Sequence, residues 1–216
     1  MLAQVNLISI TQPSAYLKAK GAKSAEDIIS YCARVSNPGN QDKFDTAAKL
    51  LKYLVRNKHW SPFEQVDVAI EINTTRDIGR QILRHGKGFG FQEFSQRYAE
   101  VDVDSLVLRG TRMQDPKNRQ NSITSDDWNL DIAWGEWQNY VANASIRAYK
   151  WAIDMGIAKE LARVVLPEGM TPSVMYMKGS VRSWIHYVSL RESNGTQLEH
   201  QEIALACRAI LEQELP

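Results

Sequence analysis

Cysteine is scarce in this chain, net charge is nearly absent and no long apolar run occurs, and each shortage removes a class of function. Only two cysteines, Cys32 and Cys207, stand in 216 residues. They lie far apart in helical contexts, so they read as buried thiols rather than a disulfide or a metal pair, as suits a reducing cytosol. No metal centre is expected. Lys and Arg total 26 against 25 Asp and Glu, a net charge of +1. With no bulk field to draw in nucleic acid or a membrane surface, any anion site must be local. No segment approaches the roughly 20 apolar residues of a membrane span. The opening MLAQVNLISITQPSAY lacks the basic start and apolar run of a secretion signal, so a cytoplasmic protein is expected. The G-K-[ST] ending of a P-loop and the GxGxxG fingerprint are both missing, so a bound dinucleotide would need another architecture. There is no internal repeat or low-complexity tract. The length suits one domain, and 44% apolar residues suffice for a sizeable core.

What is present is a mixture of alternating and helical patterns. Residues 4–10 alternate as a strand, and 66–72 (VDVAIEI) alternate strictly, with Val66, Val68, Ile70 and Ile72 on one face. Residues 99–108 and 172–178 predict two further strands. Ser24 opens a helix to about Ser36, with Glu26 and Asp27 in its first turn where the dipole favours acids. A second helix covers about 42–57. In HWSPFEQ, 59–65, Ser61 is expected to cap a short helix with Pro62 in its first turn. Ser125 or Asp126 is expected to cap a long helix from about 127 to 155, whose tryptophans suit a core or an oligomer interface. Further helices are expected at 157–165, 181–193 and 197–213. On the 181–193 helix Arg182 and His186 fall on a polar side with Ser183 and Tyr187 beside them. Residues 109–126 are polar and turn-rich, the best candidate for a lid or a partner-contacting loop. Together these predict an α/β (mixed α+β) chain with a small, mostly antiparallel sheet flanked by helices.

The chain is organised around RDIGRQILRHGKGFGFQEFSQRY, Arg76 to Tyr98. Its first half predicts a helix capped by Thr75, with Ile78, Ile82 and Leu83 apolar. Arg76, Arg80 and Arg84 share one side at i, i+4, a repulsion of roughly 0.2–0.5 kcal/mol per pair that opposing carboxylates or an anion would relieve. Gly86, Gly88 and Gly90 then favour a turn with positive φ. A strand leading directly into such a helix is a common way to build a phosphate site.

Several motifs carry a resemblance. Arg84-His85-Gly86, eight residues and Ser95-Gln96-Arg97 are similar to the RHR-(seven or eight residues)-S-x-R signature of the flavin-dependent thymidylate synthases, the ThyX family. QEFSQRY resembles that family's N/Q-E-x-S-x-R-Y. ARVSNP at 33–38, HWSPFEQ, ARVVLP at 162–167, VRSWIHYVSLRES at 181–193 and Gln197-x-Glu199 match further family segments in order. The resemblance implies a ThyX-like fold and a homotetramer with sites shared between subunits around FAD. It also implies reductive methylation of dUMP to dTMP, with methylenetetrahydrofolate as carbon donor and NADPH-reduced FAD as hydride source.

By position, it implies dUMP contacts at Gln81, Arg84, Glu93, Phe94, Ser95, Gln96, Arg97, Arg163 and Arg191. It implies FAD contacts at Ser61, Arg84, His85, Gly86, Glu93, Ser180, Arg182 and His186. Arg191 at the pyrimidine and His59 near the flavin ring are the implied catalytic groups. Ser95 is read as a hydrogen-bonding residue, since no base is placed in sequence to make it a nucleophile. The chain departs from the family pattern at Gly86 (usually arginine), Gln65 (histidine), Gln92 (asparagine) and Ser180 (asparagine). Lys87 is the candidate to replace the charge lost at Gly86. Two rival readings remain. One is a nucleotide-binding relative with lost or weakened flavin chemistry. The other is a nucleic-acid module built on the arginine helix and Lys87/Phe89/Phe91, against which the +1 net charge counts.

Overall fold

The computed structural model describes residues 4–193 and 195–215. From the N-terminus, β1 (Gln4–Ile10) is followed by α1 (Ala15–Ala19), α2 (Ala25–Ala33) and α3 (Ala47–Arg56). β2 (Asp67–Thr75) runs directly into α4 (Arg76–Leu83), and β3 (Phe89–Glu93) follows. A small hairpin, β4 (Arg112–Gln114) and β5 (Ser122–Thr124), precedes the long helix α5 (Trp128–Asp154) and the short α6 (Lys159–Ala162). The chain closes with β6 (Pro172–Ser180), α7 (Val181–Arg191) and α8 (Leu198–Glu214).

β1, β2, β6 and β3 pair in that order as a fully antiparallel sheet. β2 is central because its apolar face is continuous: Val68, Ile70 and Ile72 are all fully buried, Ile70 opposite Met177 and Leu7. Ile29, Ile78, Ile82, Trp184, Tyr187, Ile203 and Cys207 pack on that face from α2, α4, α7 and α8. Each large apolar side chain buried there contributes about 1.5–3 kcal/mol of transfer free energy. Trp184 also donates its indole N–H to the Val68 carbonyl at 3.0 Å. The opposite sheet face is polar, with Lys178 on Asp67 at 2.6 Å and Asn6 on Glu71 at 3.0 Å. A second, smaller core joins Val101 and Val103 to Tyr149, Ala152, Ala162 and Leu166.

Several local expectations need correction. Residues 99–108 form no strand; Val101 and Val103 alternate into the second core, where the Tyr149 hydroxyl accepts from the Val101 N–H at 2.9 Å. β3 arises instead where a glycine turn was expected. Only Gly88 of the three glycines has positive φ, at 87°. Phe89 and Phe91 alternate inward from there, and Gly179 gives the room, because a Cβ at 179 would lie 2.5 Å from Phe89. The 109–126 segment contains the β4–β5 hairpin. Its base is held by Gln138, which bonds the Arg109 N–H and carbonyl, both at 2.8 Å.

Asp127, not Ser125 or Asp126, caps α5 by accepting from Leu130 N–H. Ser61 caps nothing; it is the first residue of a 3-10 turn, Ser61–Gln65. Thr75 does not cap α4 through its side chain; its hydroxyl donates to Asp77 at 2.5 Å and its oxygen accepts from Arg109 at 2.7 Å instead. The helix expected at 157–165 is only α6 followed by a 3-10 turn, Arg163–Val165. Tyr187 is not on the polar side of α7 but fully buried. The α5 tryptophans do not form this chain's core: Trp128, Trp134, Trp137 and Trp151 are exposed. Ser24 caps α2 as expected, with a reciprocal capping box to Asp27.

Candidate active site

The arginines of α4 divide among partners. Arg76 is buried against Glu93 at 3.5 Å and Arg80 meets Glu168 at 3.2 Å, so carboxylates do oppose the row. Arg84, just past the helix end, is exposed and makes no ion pair among the described residues. The N-terminus of α4 faces no free anion site. Asp77 occupies it, gripped by both terminal nitrogens of Arg109 at 2.8 and 2.9 Å. Burial alone would raise the Asp77 carboxyl; the bonds from Arg109 and Thr75 outweigh it and hold it low.

At the other end of α4, Gln81 and His85 project one turn apart. Arg191, the last residue of α7, donates its Nε–H to His85 Nε2 at 2.8 Å. That bond requires a bare lone pair on Nε2, so His85 is neutral with its proton on Nδ1. Burial, and then the charges of Arg191, His186 and Arg84, lower its pKa to about 4. The ring stands edge-on to Tyr187, centroids 5.0 Å apart. Behind it, fully buried His200 lies 3.1 Å from the Tyr187 hydroxyl and 3.3 Å from Gln81 Oε1. Burial first, and then Arg191 and His85, take the His200 pKa to about 3.

Glu93, at the end of β3, accepts from Ser173 at 2.9 Å beside Arg76. Phe94, Ser95 and Gln96 continue from it. No histidine nitrogen bonds the Ser95 hydroxyl among the described residues, which leaves it without an activating base. Gln96 is buried with its Nε2 unpaired. Arg97 and Arg163 converge on one residue: Arg97 meets the Glu160 carboxylate at 3.5 Å and Arg163 its carbonyl at 3.4 Å. No hydrogen bond or ion pair among the described residues joins this pair to Arg191. A further cluster surrounds Glu64, which accepts from Ser180 at 2.7 Å and Arg182 at 3.0 Å, with exposed Ser61 on the same turn. His59 is exposed, edge-on to Tyr53, and unconnected to His85 within one chain.

The comparisons agree with one another. Residues 19–216 match the family described as thymidylate synthase complementing protein. A protein of Paramecium bursaria Chlorella virus 1 named "Probable flavin-dependent thymidylate synthase" is 47% identical over 210 residues, 97% of this chain and 94% of that one. The flavin-dependent thymidylate synthase of Synechocystis is 46% identical over 212 residues, 98% of this chain and 95% of that one. The chain belongs to the flavin-dependent thymidylate synthases. The fold agrees too: a UMP/dUMP methylase, PolB from Streptomyces cacaoi, solved with 5-Br dUMP, superposes with a TM-score of 0.79 over 98% of this chain and 90% of its own, at 24% identity.

FAD is the cofactor of a flavin-dependent synthase, and the residues here suit its anionic diphosphate. Arg84, Lys87 and His186 are exposed and free of ion pairs among the described residues. The Gly88 backbone passes so near Ser183 that a Cβ would sit 2.5 Å from its Oγ, so the turn that carries Lys87 packs closely against α7 and Arg182. Arg182 uses one of its five N–H donors on Glu64.

Sequence reasoning named Arg76 and Tyr187 without assigning them to the site, and missed Ser173 and His200. For Tyr187 and His200 a signal of burial existed. His200 lies on the same helical stripe as Ile203, Ala204 and Cys207, and Tyr187 on that of Trp184 and Val188, all buried.

Proposed function

We propose that this chain converts dUMP to dTMP, taking the one-carbon unit from methylenetetrahydrofolate and hydride from FAD reduced by NADPH. The observation that carries this reading is the 2.8 Å bond from Arg191 Nε to neutral His85. It ties one N–H of the guanidinium down and leaves the planar terminal edge, with up to four N–H groups, to face a pyrimidine. Negative charge on the ring is then stabilised by an oriented cation, which makes C5 more nucleophilic. Gln81, next to His85, offers an amide to the base. Arg97 and Arg163 hold the 5′-phosphate; both reach Glu160, Arg97 its carboxylate and Arg163 its main-chain carbonyl, which brings the two guanidinium groups to one place, and the phosphate displaces the exposed carboxylate from Arg97. Glu93, Phe94, Ser95 and Gln96 line the nucleoside.

Ser61, Arg84, His85, Gly86, Ser180, Arg182 and His186 bind the flavin, with Glu93 between the two ligands, and His59 reaches it from a neighbouring subunit. When bound, the flavin supplies the hydride chemistry, and the chain binds and orients both ligands. The assembly is a homotetramer; the exposed aromatic face of α5 supports it, because Trp137 and Tyr140 are each 65% exposed in the isolated chain. The 109–126 hairpin serves as the lid of a single domain. A cytoplasmic location suits two free cysteines and the absence, among the described residues, of a helix long and apolar enough to cross a membrane. Tritium release from [5-³H]dUMP with methylenetetrahydrofolate, NADPH and FAD tests the reading; no release and no dTMP would refute it.

One observation favours the rival, a nucleotide binder with lost flavin chemistry. Gly86 has no positive φ, and a Cβ there meets nothing nearer than the Leu83 carbonyl at 3.8 Å, so the fold does not exclude the family's arginine. Flavin absorbance titrated with FAD and then dUMP separates the two. A band that shifts with dUMP supports the synthase, and dUMP binding without flavin uptake supports the rival.

A further inference from the structure

Five side chains of α4, α7 and the start of α8 form an unbranched hydrogen-bond chain. Glu199 Oε2 meets Gln197 Nε2 at 2.9 Å. Gln197 Oε1 meets Gln81 Nε2 at 2.7 Å. Gln81 Oε1 lies 3.3 Å from His200 Nδ1, and His200 Nε2 lies 3.1 Å from the Tyr187 hydroxyl. Amides can face either way and imidazole has two tautomers, so direction must come from an end of the chain. The Tyr187 hydroxyl both donates and accepts and selects nothing.

Glu199 does select. Arg112 bonds it at 2.7 Å and Arg109 stands 3.6 Å away, so it is a carboxylate that only accepts. Gln197 must therefore turn its amino group toward Glu199 and its oxygen toward Gln81. Gln81 must answer with its amino group and give its own oxygen to His200. His200 must carry its proton on Nδ1, and Tyr187 must donate to Nε2. Any reversal sets two donors or two acceptors face to face at some link, at a cost comparable to leaving a buried polar group unpaired.

We infer that Glu199, Gln197 and His200 are positioning residues that fix, from the charge of Glu199, which way the Gln81 amide faces the substrate. This rests on the reading of Gln81 as a dUMP contact. The chain uses one N–H and one lone pair of that amide, so one of each remains for the base in a single arrangement. The flipped amide would present donor and acceptor exchanged.

The test uses the full-length protein labelled with ¹⁵N-histidine. There are four histidines, and His200→Gln identifies the His200 signals. Wild type should show Nδ1 protonated and Nε2 bare. Glu199→Gln replaces the obligate acceptor by an amide that can turn either way. A second His200 tautomer should appear, and the dUMP dissociation constant should rise about three- to tenfold, with kcat at saturating dUMP changed less than about twofold. Gln197→Met cuts the chain without touching the Glu199–Arg112 pair and should act alike, which guards against a folding defect in Glu199→Gln. Arg112→Met removes the ion pair but leaves the acceptor and should keep the wild-type tautomer. The inference is overturned if Glu199→Gln and Gln197→Met keep the single tautomer and wild-type dUMP affinity, or if Arg112→Met reproduces their effects. Wild type with the stated tautomer but no dUMP binding would instead overturn the reading of Gln81 and its substrate role, leaving the polarity of the chain standing.

Discussion

Replacing His200 by glutamine separates the pH dependence of stability from the rest of the fold. His200 is fully buried, and its pKa of about 3 compares with 6.5 for a solvated imidazole. Below pH 6.5 the unfolded chain takes up a proton there that the native chain refuses. The neutral ring's contribution is therefore complete above pH 6.5, falls as the pH drops, and levels off near pH 3. The slope is about 1.4 kcal/mol per pH unit. From pH 7.5 to 5 that costs wild type about 2 kcal/mol, and over the whole window roughly 5 kcal/mol, comparable to the entire stability of many domains. Glutamine carries no proton at any pH, yet it can accept from Tyr187 or donate to Gln81. His85, with its pKa of about 4, titrates in both proteins and cancels in the difference. Urea unfolding followed by tryptophan fluorescence, at one protein concentration and several pH values, reads the effect. Wild type should lose about 2 kcal/mol more than His200→Gln between pH 7.5 and 5. Parallel losses would refute the assignment of His200 as a buried neutral imidazole.

Arg191→Lys keeps the charge but not the fork, since one ammonium cannot hold His85 and present a planar edge. It should lower kcat/KM in tritium release by about 10- to 100-fold, and a value within about twofold of wild type would contradict the orientation argument. Gly86→Arg fits the space beside the Leu83 carbonyl and should tighten FAD about three- to tenfold by fluorescence titration. Lys87→Ala should weaken it, and an unchanged FAD affinity would dismiss Lys87 as a replacement charge. Gly179→Ala drives a methyl within 2.5 Å of Phe89 and 2.7 Å of the Gly88 carbonyl. It should displace β3 and cost about 1–3 kcal/mol by thermal melting, with weaker FAD binding in step.

Patterns that depend on neighbours along the chain were legible without a structure. Strand β2 is one, because strict alternation of Val68, Ile70 and Ile72 allows a single buried face. The Ser24 capping box on α2 is another, being complete within four residues. The family motifs from Ala33 to Glu199 are of the same kind, and they determined the chemistry to expect. What lay beyond reach was decided by partners remote in sequence. Val101 and Val103 alternate as well as any strand, yet alternation specifies a half-buried extended segment and not a sheet neighbour; Tyr149, from α5, took them instead. Phe89 and Phe91 became a strand only because Gly179, on β6, leaves room for them.

The site divides in the same way. Residue identities at Gln81, His85, Arg97, Arg163 and Arg191 follow from the sequence, since a motif preserves which side chains are offered. The proton on His85, the lowered pKa of His200 and the direction of the Gln81 amide do not. Each is an electrostatic property of groups that only folding brings within about 3 Å, where burial and an adjoining guanidinium or carboxylate outweigh the preferences of the isolated side chain.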